Sequence, residues 1–266
     1  MSDHPIRIGV IGCGAIARSH LHAYAELGEE MAIVIALCDV DEERLAGAAE
    51  SWPRARTTRD FAEMLAPGDL DMVLVATMPN THAQMAIAAL EAGAHVFCEK
   101  PFATCLAEAT AILDTAARVG RQVQLGTNMR YIPSSLYLRD LVASGEVGDP
   151  LFCRASAYHL NPPWWGPHYQ LARSGGGVLA STLVHVLDLG MWIAGSPNPV
   201  SATWEVEANW QRSINDENAD VIARLRRNQP WTQHDRRQLL NLQHIIDACY
   251  ESARTGRQIE LCNSSA

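Results

Sequence analysis

Apolar runs and helical patterns alternate along the first half of the sequence. Short apolar or β-branched runs predict strands at 6–11, 31–38, 71–76, 95–98 and 122–125. Apolar residues at helical spacing predict helices at 15–24, 42–51, 60–65, 82–92 and 106–119. Strands that alternate with helices in this way indicate βαβ crossovers and a parallel sheet covered on both faces. Residues 1–127 are therefore predicted to form a doubly wound α/β domain of the Rossmann type.

The pattern changes in the second half of the chain. Helical patterns occupy 134–144, the stretch from 178 to about 194, and 236–254. Alternating patterns predict strands at 151–158, 200–210 and 219–225. This mixture of elements predicts a second domain, of the α+β class, over residues 128–266.

Composition excludes several kinds of partner. The net charge is −9 without a cluster of basic residues, so a nucleic-acid partner is not expected. The seven cysteines form no CxxC pair, which predicts reduced thiols and no metal site. No apolar run reaches the ~20 residues that a membrane span needs, and no signal sequence precedes the first strand. These features predict a soluble, cytoplasmic protein without a membrane partner.

A glycine-rich turn follows the first predicted strand directly. Residues 12–17 match the pattern GxGxxA and lead into a helix. In this setting Gly12 allows the tight turn, Gly14 lets the backbone approach a pyrophosphate, and the helix start at Ala15 and Ile16 supplies N–H donors. The pattern predicts a dinucleotide-binding loop. A glycine-rich turn in an unrelated α/β fold is the alternative.

Asp39 ends the second predicted strand. A carboxylate at this position accepts hydrogen bonds from the adenosine ribose and repels a 2′-phosphate, which predicts NAD rather than NADP. The alternative is that Asp39 caps the next helix. After the strand 71–76, Thr77, Pro79 and Asn80 are expected to line the cofactor, and the cofactor site is extended to His82. At the start of a helix, His82 is interpreted as a capping residue rather than a catalyst.

Six segments, taken in order, resemble one family of dinucleotide-dependent sugar enzymes. They are Gly12–Ala17, Val75–His82, Glu99–Pro101, Gly126–Tyr131, Ser144–Pro150, and Gly175–Leu179 followed by His185 and Asp188. Together they resemble the glucose–fructose oxidoreductase and inositol dehydrogenase (Gfo/Idh/MocA) family. The resemblance implies an NAD-dependent oxidoreductase that moves a hydride between a sugar, inositol or related polyol hydroxyl and the cofactor.

The resemblance also implies roles for individual residues. Lys100 is the catalytic lysine beside the nicotinamide, Glu99 contacts the cofactor, and the bond from Lys100 to Pro101 is expected to be cis. An ammonium at a strand end can stabilise the charge that develops on a substrate oxygen. His185 is implied as the acid–base residue, and the roles of Lys100 and His185 are interchangeable at this stage. The alternatives are a surface lysine that pairs with Glu99 and a buried core histidine.

The remaining substrate candidates are more ambiguous. Ser181 stands where family members commonly carry Asp or Asn, so the usual Lys–Asp–His trio is incomplete. Arg130 either shapes the cleft or forms a structural ion pair. Asp188 either orients His185 or satisfies a neighbouring helix end or strand. Trp164 and Trp165 either stack on a sugar ring or pack internally.

The second domain is expected to be shorter than in the family, where it is a mostly antiparallel sheet. A stretch near 226–236 joins a strand-like segment directly to a sequence that resembles the last family helix. A sheet that lacks strands presents an unpaired edge, which favours self-association into a homo-oligomer. The same shortening motivates the alternative function, a catalytically silent regulatory protein that binds a dinucleotide or sugar.

Overall fold

A computed structural model describes residues 4–150, 157, 170–175, 179–195, 219–227, 229–230 and 236–255. Its centre is a six-stranded parallel sheet with the order β3-β2-β1-β4-β5-β6. The strands are β1 (Ile6–Ile11), β2 (Ala32–Cys38), β3 (Arg56–Thr58), β4 (Met72–Val75), β5 (His95–Cys98) and β6 (Val123–Leu125). The strand order reverses between β1 and β4. In doubly wound sheets, ligands bind at this point, beyond the carboxyl ends of the strands.

Helices cover both faces of the sheet. In the first half they are α1 (Ala15–Leu27), α2 (Glu42–Ser51), α3 (Phe61–Leu65), α4 (Pro79–Glu91) and α5 (Leu106–Val119). A 3₁₀ helix (Asn128–Tyr131) follows β6 and leads into α6 (Pro133–Ala143). The later elements are α7 (Leu171–Ser174), a π-helical turn (Leu179–Leu183), α8 (Val184–Ile193), α9 (219–226) and α10 (Arg236–Thr255).

The predicted Rossmann architecture of the first half is confirmed. The helices Glu42–Ser51 and Leu106–Val119 and the strand His95–Cys98 have the predicted bounds. One strand, β3, was not predicted, because its three residues Arg56–Thr58 are polar and only partly buried at the sheet edge.

Alternating side chains of the strands feed two hydrophobic cores. Val10 and Leu74 point to the face covered by α1 and α2. Ile11 and Val75, one residue further along each strand, join the core formed with α4 and α5. This alternation follows from the period of two in a strand, and burial on both faces explains why these strands read as continuous apolar runs.

Elements from the second half of the chain complete both cores. Val184 and Met191 of α8, with Leu239, Leu242 and Ile246 of α10, are buried on the α4–α5 side. Asp247 of α10 also accepts a hydrogen bond from the Leu106 N–H at the start of α5 (2.8 Å). Helix α10 therefore packs directly against the layer of helices that covers the Rossmann sheet.

The segment predicted as a strand at 219–225 is helical, so that prediction was wrong. Val221 and Ile222 are adjacent in sequence and both are buried in the core beside α1 and α2. Asp220 and Arg224 form an ion pair at the i, i+4 spacing of a helix (2.8 Å). Helical packing against the Rossmann core thus prevails over the alternating pattern of the sequence.

Several predictions fall outside the described residues. Of the predicted strand 151–158 only residue 157 is described, and all of 200–210 lies outside. The same holds for Trp164 and Trp165, and for most of the 226–236 stretch where a shortening was predicted.

Candidate functional site

The turn after β1 has the geometry of a dinucleotide-binding loop. Gly12 has a φ of +92°, and a Cβ there would lie 2.5 Å from the carbonyl oxygen of Ala76, so only glycine fits. A Cβ on Gly14 would instead face open space, with Arg44 Nη1 at 4.0 Å as the nearest neighbour. Helix α1 begins at Ala15 without a side-chain cap on its N–H groups. An open approach and uncapped donors suit a phosphate.

Asp39 is bound to this loop. Its carboxylate accepts hydrogen bonds from the N–H of Cys13 (2.7 Å) and from the N–H of Asp41 (2.9 Å). The cap of α2 is Asp41, whose carboxylate accepts from the N–H groups of Glu43 and Arg44. The capping role considered for Asp39 therefore belongs to Asp41, and Asp39 lies against the glycine-rich turn.

The loop after β4 lies beside the glycine-rich turn, because β4 and β1 are neighbours in the sheet. Thr77 is partly buried, and its hydroxyl contacts that of Thr81 at 2.8 Å. Pro79 is the first residue of α4, and Asn80 is exposed. These residues face the same edge of the sheet as Gly12 and Gly14.

His82 contacts the backbone of two loops of the site. Its side chain is fully buried, with Nδ1 at 2.8 Å from the carbonyl oxygen of Pro101 and Nε2 at 3.2 Å from that of Thr77. Burial lowers the pKa of His82, although both carbonyl contacts oppose the shift. An enclosed side chain cannot contact a cofactor. The structure thus makes His82 a link between two loops instead of the cofactor-binding residue that we expected.

Glu99 pairs with a histidine that the sequence analysis missed. His20 Nε2 lies 2.8 Å from Glu99 Oε1, and both residues are buried. The other carboxylate oxygen accepts the N–H of Lys100 (3.1 Å). Within α1, His20 looks like one more helical residue, and only the fold places it under the end of β5.

Lys100 lies at the carboxyl end of β5 and is half-buried. Its Nζ donates a hydrogen bond to the carbonyl oxygen of Ser181 (2.8 Å). Burial lowers the pKa of Lys100, and the charge of Glu99 opposes this shift. The bond from Lys100 to Pro101 is cis, as predicted. Lys100 is also the only lysine in the sequence.

His185 and Ser181 come from neighbouring turns of the second half of the chain. Ser181 lies in the π-helical turn, a feature that is frequent at functional sites. His185 lies in the first turn of α8 and is 5% exposed. It follows Ser181 by four residues, about one helical turn, and the Ser181 carbonyl is the group that accepts the hydrogen bond from Lys100. The fold thus brings Lys100, Ser181 and His185 together.

Arg130 and Asp188 are engaged with each other. The guanidinium of Arg130 donates from Nε to Asp188 Oδ2 (2.7 Å) and from Nη2 to Oδ1 (2.6 Å). Both side chains are buried, so neither is accessible to a substrate, although both were predicted as substrate candidates. For Arg130 the structural ion pair is the alternative observed, whereas the pairing of Asp188 with Arg130 was not among the alternatives predicted for Asp188.

The described ranges contain neither a metal-binding cluster nor a membrane-spanning helix. There, no group of three or more His, Cys, Asp or Glu side chains could hold a metal ion. In the same part of the chain, no helix combines the length and the apolar character that a membrane span requires.

Two family models match most of the chain. One, described as an oxidoreductase family with an NAD-binding Rossmann fold, matches residues 6–127. The other, described as the GFO/IDH/MocA C-terminal domain, matches residues 135–230. The match covers the glycine-rich turn, Asp39 and the Glu99–Lys100 turn in the first model, and Ser181 and His185 in the second.

Individual proteins of known name are similar as well. D-apiose dehydrogenase of Paraburkholderia graminis is 33% identical over 73% of this chain and 51% of its own length. Inositol 2-dehydrogenase of Gluconacetobacter diazotrophicus is 35% identical over 70% of this chain and 53% of its own length. This chain therefore spans about half the length of the curated relatives that it matches.

Solved structures share the fold. The crystal structure of GenD2 from gentamicin A biosynthesis in complex with NAD superposes with a TM-score of 0.83, over 97% of each chain, at 19% identity. An identity of this size is evidence of a shared fold alone, whereas the two family models are evidence of membership in the family. On this basis the chain belongs to the Gfo/Idh/MocA family of oxidoreductases, with an NAD-binding Rossmann domain at residues 6–127.

Proposed function

We propose that this protein is an NAD-dependent dehydrogenase that oxidises a secondary hydroxyl group of a sugar, an inositol or a related polyol. The observation that carries the proposal is the position of Lys100. Its amine stands at the carboxyl end of β5, which only β4 separates from the strand that leads into the glycine-rich turn, and it donates to the Ser181 carbonyl from the second half of the chain. The names of the related sugar and inositol dehydrogenases support the same class of substrate.

The cofactor would be held by main-chain and side-chain groups around the switch point of the sheet. The pyrophosphate would approach Gly12 and Gly14 and the uncapped N–H groups at Ala15 and Ile16. Asp39 would accept the ribose hydroxyls, which favours NAD over NADP because a 2′-phosphate would meet its charge. The remaining expected contacts come from Thr77, Pro79, Asn80 and Glu99.

The chemistry divides between the cofactor and two side chains. When bound, NAD⁺ supplies the hydride acceptor, the C4 position of the nicotinamide. The substrate carbon loses its hydrogen as hydride and its hydroxyl loses a proton, so the alcohol becomes a carbonyl. We assign the hydroxyl proton to His185, and Lys100 to holding the oxygen as charge develops. Ser181 would offer a hydrogen bond to the substrate hydroxyl, without the negative charge that an aspartate would supply.

The substrate is proposed to enter between two regions, residues 1–127 and 128–266. Trp164 and Trp165 stay candidates for stacking on the sugar ring, and a homo-oligomer in the cytoplasm stays the expected assembly. The alternative function, a catalytically silent regulatory protein, draws no support from the relatives, which are named as dehydrogenases.

The test is NADH formation with a panel of sugars, inositols and other polyols. We expect turnover with at least one of them, and a loss of about 10²-fold or more in Lys100→Met, because the ammonium that stabilises the charge on the substrate oxygen is removed. The affinity for NAD, measured by calorimetry, serves as the control and should stay within about twofold. Folded protein that binds NAD and turns over none of the panel would contradict the proposal.

A further inference from the structure

We propose that His20 is a positioning residue of the Lys100 site and that it acts through the Glu99 carboxylate. The proposal rests on the dehydrogenase function in so far as Lys100 is catalytic. His20 belongs to α1, the helix that begins at the nucleotide loop, whereas Glu99 and Lys100 end β5. The contact thus joins two parts of the proposed active site.

The geometry leaves the Glu99 carboxylate little freedom. One oxygen contacts His20 Nε2 at 2.8 Å, and the other accepts the Lys100 N–H at 3.1 Å. A Cβ on Gly126 would lie 3.1 Å from Oε1, so the backbone after β6 closes a third side. The His20 ring is fully buried and packs edge-on against Phe97, with 5.2 Å between the ring centroids.

Ionisable groups from three helices and from the turn itself surround the Glu99 carboxylate. His20 comes from α1, His82 from α4, His185 from α8, and Lys100 follows Glu99 directly. Burial by itself raises the pKa of Glu99, but the hydrogen bond from His20 and the charges of His20, Lys100 and His185 outweigh it and hold that pKa below its usual value. Glu99 in turn opposes the burial that lowers the pKa of Lys100.

Removal of the His20 side chain should therefore change the pKa of Lys100. A buried carboxylate that loses its hydrogen-bond donor takes up a proton rather than stay charged. Neutral Glu99 no longer favours the ammonium form of Lys100, so the pKa of Lys100 falls further. His20 thereby keeps Glu99 ionised and oriented, and Glu99 keeps the amine protonated beside the Ser181 carbonyl.

The sequence offers a direct readout of this effect. Because Lys100 is the only lysine, protein labelled with ¹³C-lysine gives a single side-chain Cε–Hε signal, whose shift against pH yields the Lys100 pKa without any turnover. We expect His20→Leu and Glu99→Gln each to lower this pKa by about one unit. In the Glu99→Gln background, His20→Leu should change it by less than about 0.3 unit, since the path through Glu99 is already cut.

Two further variants separate positioning from packing. His20→Gln keeps an N–H donor and should restore most of the native Lys100 pKa. Tyr24→Phe alters the same buried face of α1 one turn away and should leave that pKa unchanged. A Lys100 pKa that stays constant or rises in His20→Leu, or falls equally with and without Glu99, would overturn the proposal. Absence of turnover in all variants would count against the dehydrogenase function alone.

Discussion

Arg130 and Asp188 form a bidentate ion pair in the protein interior, with side chains that are 2% and 4% exposed. Arg130 lies in the 3₁₀ helix that follows β6, and Asp188 lies in α8, one turn beyond His185. The pair therefore fixes the helix that carries His185 to the end of the Rossmann sheet. The Arg130 guanidinium also lies 5.2 Å from the ring centre of Trp192, on the same helix.

We predict a large loss of stability in Asp188→Asn, because the buried Arg130 guanidinium then loses the charge of the carboxylate that binds it at two points. The free energy of unfolding, from urea titration, should fall by about 3–5 kcal/mol. Glu91→Gln removes one partner of the exposed pair Arg118–Glu91 and should cost less than about 1 kcal/mol. Equal losses in the two variants would show that the buried pair contributes no more to the free energy of unfolding than an exposed pair does.

The two glycines of the nucleotide loop should respond in opposite ways to alanine. Gly12→Ala places a Cβ 2.5 Å from the Ala76 carbonyl oxygen at a φ of +92°, and should cost at least about 1–3 kcal/mol of unfolding free energy. Gly14→Ala meets no atom closer than 4.0 Å, and should change stability by less than about 0.5 kcal/mol.

Binding distinguishes Gly14 further. A methyl group there would stand where the pyrophosphate approaches, so the Kd for NAD should rise about tenfold or more in folded Gly14→Ala protein. Calorimetry with NAD measures this, with thermal unfolding as the check on the fold. Native NAD affinity in Gly14→Ala would place the pyrophosphate elsewhere.

Asp39 should set the choice between NAD and NADP. Asp39→Asn keeps an acceptor for the Cys13 N–H but removes the charge that repels a 2′-phosphate. The ratio of the NADP and NAD dissociation constants should therefore fall about tenfold. Asp41→Asn is the matched control, because asparagine caps a helix as well as aspartate does and should leave the ratio unchanged. An equal change of this ratio in both variants would show that Asp39 does not contact the ribose.

His95 should make stability depend on pH. Burial, helped by the charge of Arg121 and opposed by Asp71, lowers its pKa from 6.5 to about 4, and Nδ1 accepts the Gln122 N–H at 3.0 Å. The unfolded state therefore binds a proton at a higher pH than the folded state does. The stability contribution is complete above about pH 6.5 and is lost as the pH falls towards 4.

Urea unfolding at several pH values tests this relationship. His95→Asn retains an acceptor for the Gln122 N–H but does not titrate, so its stability should decline less between pH 6.5 and 4. Parallel pH profiles for the two proteins would assign the acid sensitivity to other groups.

The outcome for individual elements shows where sequence patterns suffice. Helix α2 was predicted with its bounds from its helical pattern, and the structure adds that Asp41, a residue next to the helix in sequence, caps its first turn. The helix at 219–226 was predicted as a strand, because short alternating segments do not reveal which surface will cover them. Val221 and Ile222 became helical by packing against the Rossmann core.

The sequence by itself determined the parallel sheet, the nucleotide loop and the identity of Lys100, because each depends on local periodicity or on neighbouring residues. Only the tertiary structure decided the partners of the charged groups. His20 meets Glu99 across 79 positions, and Arg130 meets Asp188 across 58. A buried charge needs a counterion or a hydrogen-bond partner. The separation in sequence between the charged residue and its partner is set by the topology of the fold, so local patterns do not reveal it.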